Sequence, residues 1–249
     1  MRKFKLFILL VLMITFLFTA LYSAYNIYLW WVDNNKTKEQ INQIYNLVDI
    51  TSKDKTLESK YLKIDFDKLK SANDEVVGWI EVVGTNINYP IVQHSDNDYY
   101  LNHSFDKSYN NAGWPFLDYR NDLDDLDSNT IIYAHGRVDK TMFGSLRDVL
   151  NEEWIANESN YIVKVSTPKN DYLFKVFSTY HIATTNDYVK TNFSEEIDFE
   201  NFISLVRGRS TTNFTTEVST YDKILTLSTC YNNWEKMVLH AKLLEHKEK

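Results

Sequence analysis

Two residues in this chain have types and settings suited to covalent chemistry. Cys230, the only cysteine, closes "ILTLSTC", residues 224–230, where apolar and β-branched residues alternate before a polar stretch. His135 closes "IIYAH", residues 131–135, directly before Gly136. Both runs read as buried strands, so each reactive group would stand at a strand end, held by a rigid scaffold within reach of a neighbour. A thiol attacks as its thiolate and needs a group that favours that state or takes its proton, which a histidine can do. The residues alone leave two other readings open: a buried thiol packing as a small hydrophobe, or a metal pair. The absence of CxxC or HxxxH spacing counts against zinc.

The other histidines have weaker settings. His181 and His240 fall inside strand patterns, where a structural histidine is the simpler reading. His94 and His103 flank the polar segment "HSDNDYYLNH", and His246 falls in the charged tail "EHKEK", which reads as solvated.

Positioning a Cys–His pair requires a sheet. Period-two or short apolar runs occur at 76–84, 87–93, 113–119, 129–136, 161–167, 171–184, 222–230 and 236–245, separated by Gly, Asn, Asp and Ser-rich turns. No regular helix separates these strands, so a β-barrel or sandwich is predicted. One helix interrupts the series at 194–209. Ser194 is its expected N-cap, acidic residues fill its first turn, Ile197, Phe199, Phe202, Ile203 and Val206 are apolar, and Arg207 and Arg209 lie near its end. A shorter helix is predicted in "DFDKLKSAND", residues 65–74.

The N-terminus has its own logic. Arg2, Lys3 and Lys5 precede an uncharged run, Leu6 to Val32, longer than the roughly 20 residues a helix needs to cross a bilayer; Tyr28, Trp30 and Trp31 suit the far interface. The basic flank predicts a cytoplasmic N-terminus and a domain outside the cell, at the cell membrane by a single pass. A cleaved signal peptide is the alternative, but the length of the run and the lack of a clean A-x-A site favour an anchor. The expected division is residues 1–32 as tail and anchor, 33–60 as a polar stalk or N-terminal helix with weak helical spacing at Ile41, Ile44, Leu47 and Val48, and 61–249 as the globular domain outside. A formal net charge of -7 and a pI near 5.4 argue against nucleic acid as a partner. A lone thiol in an exported chain cannot form an internal disulfide, so Cys230 is either inert or kept for reactivity.

Several motifs carry a family resemblance: "VGWIEVVGTNINYPIVQHSDNDYYLNHSF", "GWPFLDYRN", "IIYAHG", "KTMFGSL" and "TLSTC". In order and spacing, from about Val76 to Leu244, the chain resembles the class B sortases of Gram-positive bacteria. The resemblance implies a mostly β fold: an eight-stranded sortase barrel with N-terminal helices and a long helix before the cysteine-bearing strand. It implies a cysteine transpeptidase that cleaves a C-terminal sorting signal after Thr through a thioacyl intermediate. The acyl group then passes to a peptidoglycan-precursor amine or a pilin Lys, which anchors a surface protein. No cofactor or metal is implied.

By the same resemblance Cys230 is the nucleophile and His135 the proton donor and acceptor. The family's third catalytic residue is an arginine on the following strand, but here Lys236 stands in its place. A lysine brings charge without the planar fork, so three readings follow: Lys236 substitutes, another group does, or turnover is low. A solvated surface lysine is the structural alternative. Asn97, Leu101, Tyr133, Thr184, Tyr188, Val189 and Ser228 match positions that line the sorting-signal groove, although each could equally serve packing or turns. The acidic stretch "DYRNDLDDLDSN" is expected to be a solvated loop; it lacks the turn Gly and terminal Glu of an EF-hand. Two other functions share these residues: a cysteine peptidase resolved by water, and a surface binding module with impaired catalysis.

Overall fold

The computed structural model describes residues 2–48, 60–230 and 234–249, with Cys230 described by its backbone alone. The chain divides into two compact units, one ending at Asn42 and the other spanning Gln43–Lys249. Helix α1, Arg2–Leu47, runs without a break. Its side chains from Arg2 to Val32 are all exposed, and it is long and apolar enough to cross a membrane. Apolar residues all round a helix suit lipid rather than a protein core. The expected boundary at 32/33 is not a break in the helix, because "DNNKTKEQINQIYNL" contains no Gly or Pro to stop it. Of the expected stalk, residues 49–59 lie outside the described residues.

The second unit is built on a closed barrel of eight strands: β1 Val76–Val82, β2 Asn88–Val92, β3 Phe116–Leu117, β4 Asn129–His135, β5 Ile162–Ser166, β6 Asn170–Ala183, β7 Ile224–Cys230 and β8 Glu235–Glu248. Each falls within or nearly on a predicted run. Around the barrel the order is β1-β2-β3-β4-β7-β8-β6-β5, antiparallel except for the β2/β3 and β4/β7 pairs. Closure leaves no sheet edge to satisfy. Alternation divides the residues by face. Ile132, Leu225, Leu227, Met237 and Leu239 share one buried face, while Tyr133, Ser228, Val238 and Tyr180 share the other.

Helix α2, Phe66–Ala72, is capped by Asp65, whose carboxylate accepts the Lys68 N–H at 3.1 Å. A one-turn helix α3, Glu152–Ile155, and 3₁₀ turns at Tyr99–Leu101 and Gly144–Leu150 lie in connections that show no sequence period. Helix α4, Glu196–Gly208, joins β6 to β7. Phe199, Phe202, Ile203 and Val206 pack with Tyr180, Tyr188, Ile224 and Val238, so α4 covers the second sheet face, outside the barrel. Ser194 is not the cap: Glu195 takes that place without a side-chain bond, and the entry is held by Phe193 stacked on Phe199 at 4.6 Å. An apolar contact here replaces the hydroxyl that the sequence suggested. Ile197 is exposed, one position off the buried stripe.

Candidate active site

Strand register brings the three candidate catalytic residues into one row. His135 on β4 is the partner of Cys230 on β7, and Cys230 is the partner of Lys236 on β8. Adjacent strands lie about 4.8 Å apart, so these are successive places across three strands at one end of the ladder. The next same-facing row is Tyr133, Ser228, Val238 and Tyr180. Parallel pairing of β4 with β7 makes this possible, since both strands then end at the same rim.

His135 is half-buried, and its Nε2 lies 2.6 Å from the Leu101 carbonyl. A carbonyl only accepts, so Nε2 carries the hydrogen and Nδ1 is the nitrogen left to exchange a proton. Leu101 thus touches His135 through its backbone carbonyl. Its carbonyl sits beside Gly113, which has φ +60°. A Cβ at Gly113 would stand 2.6 Å from the Tyr100 oxygen, 2.8 Å from the Leu101 oxygen and 3.1 Å from His135 Cδ2. Gly113 is therefore needed for both its backbone conformation and the close approach. On the other side, the Phe143 N–H donates to the His135 carbonyl at 3.0 Å.

The remaining candidate groove residues differ in setting. Asn97, from the 93–103 segment, donates to Asp118 Oδ2 at 3.0 Å and accepts the Tyr119 N–H at 3.0 Å; Tyr133 donates to the same Oδ2 at 2.9 Å. Burial and the Asp118 charge hold the Tyr133 phenol well above its ordinary range, so it stays protonated. Tyr188 and Ser228 are both buried and bonded to each other at 2.9 Å. Thr184 is exposed at the end of β6, its N–H donating to the Trp234 carbonyl at 2.7 Å. Val189 is half-buried against the α4 cluster.

The acidic stretch departs from the solvated loop expected. Asp118 is fully buried, Asn121 holds both Asp127 and the Asn129 carbonyl, and Asp124 accepts from Thr167 and pairs with Lys169 at 2.9 Å. Burial alone would disfavour the Asp118 charge, but bonds from Arg120 and Tyr133 outweigh it and hold the carboxyl below the usual range. Sequence reasoning missed Asp118 and Gly113. "GWPFLDYRN" held a signal for Asp118, an acid following a short apolar strand with an arginine two residues on.

A buried polar chain runs beneath the row. His240 is fully buried, with Nε2 accepting from the Tyr180 hydroxyl at 2.9 Å and Nδ1 2.8 Å from Thr226 Oγ1. Thr226 in turn donates to Asn129 Oδ1 at 2.6 Å, and Asn129 Nδ2 donates to the Lys190 carbonyl at 2.7 Å. Since Thr226 gives its hydrogen to Asn129, Nδ1 must donate and the imidazole is neutral; burial, with the Arg209 charge, depresses its pKa to about 3. His181 is exposed and lies 3.3 Å from Glu235. His246 is not simply solvated: it stacks on Tyr172 at 5.0 Å and bonds Asn170 at 2.8 Å.

Residues 80–244 match the family model described as Sortase domain. Sortase B of Staphylococcus aureus is 33% identical over 190 residues, covering 75% of this chain and 77% of that protein. Among solved structures, sortase B from B. anthracis in complex with AAEK1 superposes with a TM-score of 0.75 at 34% identity, covering 86% of this chain and 99% of that one. The Staphylococcus aureus sortase B-substrate complex gives 0.71 at 32% identity, covering 83% and 94%.

Proposed function

We propose, for a chain that belongs to the sortase family and within it to class B, a division of labour among His135, Cys230 and Lys236 in transpeptidation. The row these residues form across β4, β7 and β8 is the observation that carries the reading. The Cys230 thiol passes its proton to His135 Nδ1, the thiolate attacks the carbonyl of the signal's Thr at the scissile bond, and the C–N bond breaks as Nδ1 delivers that proton to the leaving amine. The thioacyl enzyme then meets an amine of a cell-wall precursor or a pilin Lys. His135 takes the proton from that amine as it attacks, the new amide forms and the thiolate leaves. Splitting one amide exchange into two steps lowers each barrier, and an imidazole can both give and take a proton near neutrality. Asn97, Leu101, Tyr133 and Val189 wall the peptide groove, Thr184 edges it, and Tyr188 with Ser228 forms its floor. Helix α1 anchors the enzyme in the cell membrane with its N-terminus inside and its barrel outside.

The test is intact-mass analysis of the enzyme incubated with Thr-containing peptides and excess amine, beside Cys230→Ala. An acyl adduct restricted to the unsubstituted enzyme and converting to amine-linked peptide is expected. Hydrolysed peptide alone would overturn transfer in favour of a peptidase, and no adduct from an enzyme whose thiol alkylates would overturn catalysis.

Lys236 supplies positive charge to the oxyanion that develops on the attacked carbonyl. An ammonium lacks the guanidinium fork, so its loss should cost less than the roughly hundredfold typical of a preorganised donor. Lys236→Ala is expected to slow single-turnover acylation about tenfold. An unchanged rate would return Lys236 to the status of a surface residue.

A further inference from the structure

We infer that Asp118, with Arg120, is the positioning centre of the peptide groove, an inference that rests on the groove reading above. Asp118 is a fully buried carboxylate at the exit of β3. Its Oδ1 accepts the Arg120 N–H at 3.0 Å and Nε–H at 2.8 Å; its Oδ2 accepts Arg120 Nη2–H at 2.7 Å, the Asn97 amide at 3.0 Å and the Tyr133 hydroxyl at 2.9 Å. One side chain therefore orients two candidate groove residues from separate parts of the chain, the 93–103 segment and β4. Arg120 extends the hub to a third, since Nη2 reaches the Val189 carbonyl at 3.4 Å in the β6–β7 connection.

The geometry of the hub limits its role. With all five donors directed at it, the carboxylate has no vacant place for a ligand, and it lies behind Asn97 and Tyr133 rather than among reacting groups. Its function is to fix the Asn97 amide. With Oδ1 receiving the Tyr119 N–H and one Nδ2 hydrogen given to Asp118, the amide cannot flip, and its second Nδ2 hydrogen keeps a set direction. A preformed groove of this kind avoids ordering three segments when the peptide binds. Asp118→Asn removes the ion pair and turns one acceptor into a donor facing Arg120 and Asn97. Arg120→Gln leaves the buried acid in place and releases the Val189 segment.

Binding separates this role from the chemistry. In a Cys230→Ala background, a fluorescein-labelled pentapeptide library with one fixed Thr is titrated by anisotropy, and thermal melting checks the fold. In the cysteine-containing enzyme, iodoacetamide alkylation of Cys230 serves as a readout that does not need the groove. Asp118→Asn is expected to weaken peptide binding about tenfold and Arg120→Gln several-fold, both with the alkylation rate unchanged. Should Asp118→Asn fail to fold, Arg120→Gln decides, because that side chain is partly exposed. Peptide affinity within twofold of the parent in a folded variant overturns the inference, as does an alkylation rate that falls in step with affinity. Binding without acyl transfer in the unsubstituted enzyme refutes the proposed reaction and leaves the groove inference standing; no binding by the parent refutes both.

Discussion

Gly113→Ala is expected to slow acyl transfer about a hundredfold while leaving a folded barrel. At φ +60° any side chain is strained by about 1–2 kcal/mol, a modest cost to a domain of this size. The larger consequence is local. A new Cβ would sit 2.8 Å from the Leu101 oxygen and 3.1 Å from the His135 ring, so the carbonyl and the imidazole cannot both keep their places. The 2.6 Å bond that fixes Nε2 as the protonated nitrogen would lengthen or break, and the ring would be free to turn. Misplacement of a catalytic group by about 1 Å can cost two orders of magnitude. Single-turnover acylation measured beside the melting temperature checks this; a variant as active as the parent would mean that the Leu101 bond does not govern His135.

The second large effect concerns stability and has a definite sign with pH. His240 is neutral in the folded protein, with its pKa depressed to about 3, whereas an unfolded histidine titrates near 6.5. Below pH 6.5 the unfolded chain therefore binds a proton that the folded one refuses, and stability falls as pH falls, by about 1.4 kcal/mol per unit, until the folded group also titrates. Above pH 6.5 this contribution is constant. Denaturant unfolding between pH 7.5 and 4.5 should show the slope after subtraction of the same series for His240→Leu. At neutral pH that variant should be less stable by about 2–4 kcal/mol, since it removes partners from the Tyr180 and Thr226 hydroxyls in the protein interior. Parallel pH curves for the two proteins would show that His240 is not a buried neutral group.

Much of the fold was legible because strands announce themselves by alternation. All eight predicted runs contain strands, and α4 was visible from the spacing of Phe199, Phe202, Ile203 and Val206. The 3₁₀ turns at Tyr99–Leu101 and Gly144–Leu150 were not, because short turns impose no period on side chains. Nor does α1 mark the change from apolar to polar surroundings; a helix continues wherever nothing stops it, whatever its side chains face. Cys230 and His135 stood out as reactive types at strand ends, but their adjacency needed the parallel β4–β7 register, which neither strand encodes alone. Asp118 was obscured by its company. In a run of acids each looks solvated, and only the fold reveals which one is buried on an arginine.

The β4–β7 pairing also has a kinetic side. Between these strands the chain must complete β5, β6 and α4, so the contact that joins His135 to Cys230 is among the most non-local in the domain. Loop-closure entropy must be met before so distant a contact repays it, and long-range parallel pairing of this kind is intrinsically slow. His135 and Cys230 therefore come together only when β7 pairs with β4. Under the proposed mechanism Cys230 gains its proton acceptor only when the barrel closes, which couples chemical competence to the completion of folding and leaves partly folded molecules without a working nucleophile.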